Sequence, residues 1–232
     1  MRHFNRKACL AAGAAALVAR VLPADRYDAG SATTAGEAVP GRSPHGALPM
    51  LTLVGLGLLG ALAFASENAH QSWSAILVTD ALGTDAVRGA LAPATFAAAV
   101  AVTRFAAGGL GVAHARRVLV AGSATAAAGA AILSVAPGLV VTLLGLVVAA
   151  AGTAVLFPTI LAVVSARVDE RHRGGATSAV TSLAYLGFVL GPVYVGLWSA
   201  EVGIRGAMLA VAALGAVLLV LVPTVVGRGS RA

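Results

Sequence analysis

The chain has 232 residues, of which 59% are hydrophobic and 11% are charged, and its mean hydropathy is +0.90. Soluble domains carry about 25% charged residues, so this composition excludes a water-soluble globular fold and makes lipid the expected solvent. The net charge of +7 would suggest nucleic acid for a soluble protein. Here the arginines lie in short segments between apolar runs, where they set membrane orientation or meet anionic lipid, so we expect no nucleic-acid partner.

Residues 1–47 combine a short apolar run with a polar linker. The run, 8–19, follows a basic start, as in a signal peptide or anchor, but its roughly dozen residues are too few to cross a bilayer. We expect this run to be the remnant of a preceding span. Residues 24–47 are rich in Gly, Ser, Thr and Pro and predict a flexible linker. Cys9 is the only cysteine, which excludes an intrachain disulfide.

Six apolar segments follow within a membrane domain of residues 48–226. They predict an all-α fold, a polytopic helical membrane protein with six transmembrane helices. Two triplets of three spans each would have inverted topology, a plan common in secondary transporters. The expected spans are 49–66, 88–105, 118–136, 139–166, 176–200 and 206–226, with a cytoplasmic tail at 227–232.

The arginines are distributed unequally between the two sets of connecting segments. One set carries ten arginines, whereas the opposite set carries only Arg88 and Arg205 beside four acidic residues. By the positive-inside rule the arginine-rich set is cytoplasmic, which includes the segment 167–173 and the C-terminus. We expect a multi-pass protein of the plasma or inner membrane of the cell. The ten arginines are Arg26, Arg42, Arg104, Arg116, Arg117, Arg167, Arg171, Arg173, Arg228 and Arg231.

Four features resemble one family of transporters. The linker is similar to a central cytoplasmic loop, and TRFAAGGLGVAHARRVLV, 103–120, resembles a G-R-x-x-x-D-R-x-x-x-R-x-G-R-R loop. GTAVLFPTILAVVS contains Pro158, and YLGFVLGPVYVG, 185–196, resembles a G-x-x-x-G-P-x-x-x-G helix. Over residues 49–226 the chain thus resembles the C-terminal six-helix half of a major facilitator superfamily transporter. In its arginine loop, Thr103 replaces the first Gly of the family pattern and Gly108 replaces the Asp.

The resemblance implies a secondary transporter that moves a small solute by alternating access. The family binds substrate between two six-helix halves, so the expected partners are lipid, the solute, and a second half from another copy or a separate N-terminal chain. The sequence contains no nucleotide, metal or catalytic Ser/His pattern, so we expect neither an enzyme nor a cofactor. The alternative is a truncated or degenerate transporter fragment without transport, at most a membrane interaction protein.

The candidates for substrate or proton binding begin with Glu67. An ionisable group near membrane depth is a functional-site hypothesis by default, although Glu67 could also mark the extracellular end of the first span. Gln71 shares its helix face. Trp73 fits either the cavity mouth or an interfacial aromatic belt. His70 is expected to be a solvated loop histidine.

The fifth span carries a polar and aromatic stripe at helical spacing that includes Thr181 and Tyr185. Tyr185 is the best candidate for substrate contact, and packing through hydroxyl groups is the alternative. Proline at 158 and 192 predicts helix bends, and Gly187 and Gly191 permit close helix crossing.

A cytoplasmic gate is the remaining expectation. The resemblance implies that Arg104 holds this gate by pairing with a carboxylate or a helix C-terminus, and a snorkelling arginine is the alternative. The other candidate gate residues are Arg116, Arg117, Asp169 and Arg171, and for Asp169 and Arg171 a solvated loop is the alternative.

Overall fold

A computed structural model of the chain describes residues 48–109 and 112–227, all within one packed unit. The segment 1–47 and the tail from 228 onward, for which we predicted a span remnant, a linker and a cytoplasmic end, lie outside the described residues. Every regular element in the described part is a helix, as the composition predicted. The helices are α1 (Met50–Leu82), α2 (Ala86–Ala107), a 3₁₀ turn (Val112–His114), α3 (Ala115–Val135), α4 (Leu139–Thr153), α5 (Leu156–Arg167) and α6 (Glu170–Gly227).

Five helical segments in the described part are long and apolar enough to cross a membrane. Because each exceeds about 17 residues, their length and composition fit an integral multi-pass protein. The segments are Met50–Leu82, Ala86–Ala107, Val112–Val135, Leu139–Arg167 and Glu170–Gly227.

Helix α1 is longer than the sequence suggested. We predicted that the first span closes at Glu67, but the helix continues to Leu82 and ends only where Gly83 adopts a left-handed conformation with φ 61°. The expectation was wrong because polar side chains do not end a helix. The stretch 67–82 contains neither Gly nor Pro, the residues that interrupt helical geometry. Glu67 therefore lies near the middle of a transmembrane helix.

The connection between α1 and α2 is tight. Asp85 caps the N-terminus of α2 by accepting a hydrogen bond from the backbone N–H of Arg88 at 2.9 Å. This backbone hydrogen bond favours the carboxylate and lowers the pKa of Asp85. The cap fixes where the second span begins.

The expected arginine-rich loop 167–173 is also shorter than predicted. Helix α5 ends at Arg167 and α6 begins at Glu170, so Val168 and Asp169 alone separate them. Gly174 and Gly175, which directly follow this segment, lie inside α6. The two arginines after Asp169 therefore project from the first turn of a helix.

Helix α6 is divided at Gly203, whose φ of 73° and ψ of 169° are non-helical. The hydroxyl of Tyr194 donates to the carbonyl oxygen of Ala210 at 3.0 Å. Sixteen residues of straight helix would separate these two by about 24 Å, so the two arms, 170–202 and 204–227, double back at Gly203. Only glycine adopts such a backbone conformation readily.

Helix α1 and the first arm of α6 cross at very short range. A Cβ atom placed on Gly187 would lie 1.8 Å from the carbonyl oxygen of Ala61, and one on Gly191 would lie 2.8 Å from that of Ala65. Backbones this close require glycine, the usual solution for helix pairs in lipid. The crossing brings the middle of α1, just before Glu67, against the first arm of α6.

Candidate functional site

An ion pair joins α1 and α2 beside an open cleft of the bundle. The Nη2 group of Arg104, in the last turn of α2, donates to both carboxylate oxygens of Glu67, at 2.9 and 3.0 Å. The Glu67 side chain is 15% exposed and that of Arg104 is 43% exposed. A charge at this depth is costly unless it has a counter-charge, and each member of the pair supplies the other's.

Arg104 also contacts the junction of α4 and α5. Its Nε group donates to the carbonyl oxygen of Ala154 at 3.4 Å. Pro158 stands four residues further on and has no N–H, so this carbonyl lacks its usual helical donor. Arg104, on α2, thus binds a carboxylate on α1 and a carbonyl at the junction of α4 and α5, so that it connects three parts of the bundle.

A cleft of about 480 Å³ opens beside the pair. A carboxylate, a guanidinium and an amide face an otherwise apolar wall, which suits a small solute held by a few polar groups. The cleft is lined by Glu67, Gln71, Phe96, Ala97, Val100, Ala101, Arg104 and Phe105.

A second freed carbonyl lies at the crossing of α1 and α6. Pro192 cannot donate to the carbonyl of Phe188, four residues earlier. The Nδ2 group of Asn68, next to Glu67 on α1, donates to this oxygen at 2.5 Å. Asn68 and Arg104 therefore each donate, from a neighbouring helix, to a carbonyl that a proline leaves without its helical donor.

Aromatic side chains gather one turn before Glu67. The centroid of the Phe64 ring lies 4.2 Å from the ring centroid of Phe157, 5.5 Å from that of Tyr185 and 6.3 Å from that of Phe188. Tyr185 is 54% exposed and Phe188 is 46% exposed, so the cluster shows one aromatic face to the outside of the bundle.

Several predicted residues lie away from this centre. Trp73 packs towards Gly196, where a Cβ atom would lie 3.3 Å from its ring. Thr181 is half-buried in the first arm of α6. Arg117 is exposed at the start of α3, and Arg116 lines a separate cavity of about 570 Å³ together with Arg167.

Two of the predicted gate residues, Asp169 and Arg171, form a pair at the surface. The Nη2 atom of Arg171 lies 3.8 Å from the Oδ2 atom of Asp169, and the Arg171 side chain is 75% exposed. Ion pairs at the surface contribute about 0–1 kcal/mol to the free energy of unfolding. Arg104, the first of the predicted gate residues, pairs with Glu67 on α1. Its role in a cytoplasmic gate stays a prediction.

His70 was misplaced as a solvated loop residue. It is fully buried, and its Nδ1 group donates to the carbonyl oxygen of Ser66 at 2.6 Å. The error follows from ending the first span at Glu67, which placed His70 outside the membrane.

Other polar contacts were not anticipated. Arg167 donates to the carbonyl oxygen of Val226 at 2.7 Å, and Arg205 donates to that of Ala136, also at 2.7 Å. Both arginines donate to carbonyl groups near the C-terminal end of a helix. A positive charge is stabilising there because the helix dipole is negative at that end. Asn68 was missed as well. The position of Pro192 predicts that the Phe188 carbonyl lacks its helical donor. The sequence does not show that Asn68 is the group that donates to it, because this depends on how α1 and α6 cross.

The family model of the Major Facilitator Superfamily matches residues 41–231. The search of curated proteins found no match.

Proposed function

Because the chain belongs to the Major Facilitator Superfamily and is thus a membrane transporter of that kind, we propose that it moves a small solute by alternating access, driven by an ion gradient. The observation that carries this proposal is the Glu67–Arg104 ion pair at the edge of a cleft in the transmembrane bundle. Intramembrane ionisable residues typically mark substrate or proton pathways.

The proposed architecture has six membrane crossings in two inverted triplets. The break at Gly203 supports this, since each arm of α6 exceeds the roughly 20 residues that a crossing needs. Counting the arms separately, α1 to α3 form the first triplet, and α4 with α5 and the two arms form the second. An odd number of crossings per triplet inverts the second relative to the first.

We also propose a second six-helix bundle as partner, either another copy or a separate chain. The polar cleft and the exposed aromatic face of Tyr185 and Phe188 support this, because both would lie between the two bundles. The solute would then bind between them, as the family resemblance implies.

Within this scheme Glu67 is the proposed coupling residue. Its carboxylate pairs with Arg104. A proton or a cationic solute on the carboxylate would remove that attraction and free the guanidinium. Because Arg104 also holds the Ala154 carbonyl, its release would act on the junction of α4 and α5 beside Pro158. Proline-bearing junctions are where helices bend.

Proteoliposomes with an imposed pH gradient and an entrapped pH dye test the coupling. A panel of small organic acids, amines and sugars is added, and proton movement is recorded for each. We expect at least one solute to move protons through the wild-type protein and none to do so through Glu67→Gln, which keeps shape and loses the titratable charge. Asp80→Asn is the matched control on the same helix, where Asp80 is exposed. Coupled transport by Glu67→Gln at the wild-type rate would exclude this role.

A further inference from the structure

A separate cavity, of about 570 Å³, lies where the start of α3 meets the ends of α5 and α6. It shares no described lining residue with the cleft beside Glu67. Its volume falls within the roughly 300–1,000 Å³ of small-molecule sites, so it has room for a ligand. Apolar side chains form part of its wall, among them Val112, Val163 and Val226.

Two arginines make this cavity positive. Arg116 stands in the first turn of α3, and Arg167 is the last residue of α5. Neither guanidinium forms an ion pair with a carboxylate of the described residues, and no described acidic residue lines the cavity. Two positive charges thus face one space without a negative charge from this part of the chain.

The surroundings of Arg167 make its charge more effective. Its Nη2 group donates to the Val226 carbonyl at 2.7 Å, and its Nη1 group is buried without a hydrogen-bond partner among the described residues. A guanidinium that water solvates poorly gains more from a nearby anion than an exposed one does. The buried Nη1 group need not touch the anion, because the attraction between charges acts over several ångströms.

The start of α3 adds to the positive potential. No side chain caps this helix, and its first turn contains no acidic residue. Ala113, Ala115 and Arg116 all line the cavity at this helix start. Backbone N–H groups and the helix dipole both favour an anion at such an end.

The cavity also lies at the expected edge of the membrane. Arg116 comes two residues before the predicted span 118–136, Arg167 directly follows the span 139–166, and Val226 ends the span 206–226. Lipid headgroups lie just outside the hydrocarbon core, and the cytoplasmic leaflet carries anionic lipid. A negatively charged phosphate is therefore the anion that this position would meet.

We propose that this cavity binds a negatively charged phosphate group, with Arg116 and Arg167 as its counter-charges and the apolar wall against the adjoining carbon atoms. The phosphate belongs either to the headgroup of an anionic lipid or to a soluble phosphate ester. Bound there, it connects the start of α3 with the ends of α5 and α6. This site is independent of the proposed transport role of Glu67.

Native mass spectrometry of the full chain, released from micelles of a neutral detergent, tests the site because it counts bound molecules. Dioctanoyl-phosphatidylglycerol, dioctanoyl-phosphatidylcholine and glycerol 3-phosphate are titrated separately. We expect phosphatidylglycerol to bind at one saturable site and phosphatidylcholine, which has no net charge, to bind about tenfold more weakly. Equally tight binding of glycerol 3-phosphate would support the site with a soluble phosphate ester as its occupant. Equal affinity for the two lipids, or no saturable binding of any probe, would overturn the proposal.

Two neighbouring arginines give a matched pair of variants. Arg116→Gln should weaken the binding of phosphatidylglycerol about tenfold, because it removes one counter-charge. Arg117→Gln loses the same charge at the next residue, which is exposed and does not line the cavity, and should bind as the wild type does. Wild-type affinity in Arg116→Gln, or equal losses in the two variants, would show that general surface charge attracts the lipid and would contradict a site in this cavity.

Discussion

At the scale of single residues, two side chains act on carbonyls that prolines have released. Arg104 takes the carbonyl of Ala154 and Asn68 takes that of Phe188. Each donor lies on a different helix from its acceptor. Each proline leaves a backbone carbonyl without its helical donor in a membrane environment. The neighbouring helix supplies the missing donor and so stabilises the helix at the proline.

Removing Asn68 tests this pairing. Asn68→Ala leaves the Phe188 carbonyl unsatisfied and should lower the free energy of unfolding by about 1–3 kcal/mol. In a Pro192→Ala background the same substitution should be less damaging by about 1 kcal/mol, because residue 192 then supplies its own N–H. Denaturant unfolding of the four proteins in mixed micelles measures both values. Equal losses in the two backgrounds would show that Asn68 does not serve the proline site.

The Glu67–Arg104 pair calls for a double-mutant cycle. Glu67→Gln leaves a guanidinium without its counter-charge and should destabilise the bundle by about 1–3 kcal/mol. Replacing Arg104 by Gln as well should recover part of this loss, with a coupling energy of about 0.5–3 kcal/mol. Additive effects of the two substitutions, measured by unfolding in the same micelles, would contradict a stabilising pair.

The residues also show where sequence reasoning stops. A charge inside an apolar chain singled out Glu67 and Arg104 separately. Their contact depends on how far α1 continues, and the assumption of an early end at Glu67 concealed both this pair and the burial of His70. Local polarity was treated as a boundary signal, although only Gly83 interrupts helical geometry in this stretch.

At the scale of helices, the crossing of α1 and α6 depends on the absence of side chains. Gly187→Ala would place a Cβ atom against the Ala61 backbone and should cost about 1–3 kcal/mol through overpacking. Gly174→Ala, in the same helix, meets no atom within 4 Å and is the matched control. It should be neutral or slightly stabilising, since Ala favours helix. Comparable unfolding temperatures for the two variants would argue against the close crossing.

The helices could be placed from the sequence more reliably than their contacts. Apolar run length located the second and third spans closely. The glycine pair at 187 and 191 indicated a close crossing, but nothing in the sequence named Ala61 and Ala65 as its other side. The sequence predicts a turn between the spans 176–200 and 206–226, whereas the structure is needed to show the positive φ of Gly203.

At the scale of the whole molecule, the arginine distribution predicts the orientation. We expect the C-terminus and the connection between α5 and α6 to be cytoplasmic, because most arginines lie on that side. A fluorescent-protein fusion at Ala232 should fluoresce, and an alkaline phosphatase fusion at the same position should be inactive. The converse result at Ala232 would reverse the predicted topology.

If the protein works by alternating access, the Glu67–Arg104 cleft belongs to an aqueous pathway that opens to each side of the membrane in turn. Cysteine labelling tests it without a known substrate, since Cys9 is the only native cysteine and Cys9→Ser gives a clean background. Gln71→Cys, in the cleft wall, should react with a charged, membrane-impermeant thiol reagent added to either side. Val220→Cys, 69% exposed on the second arm of α6, should meet lipid and react from neither side. Labelling of Gln71→Cys from one side alone, or from neither, would contradict the alternating-access account.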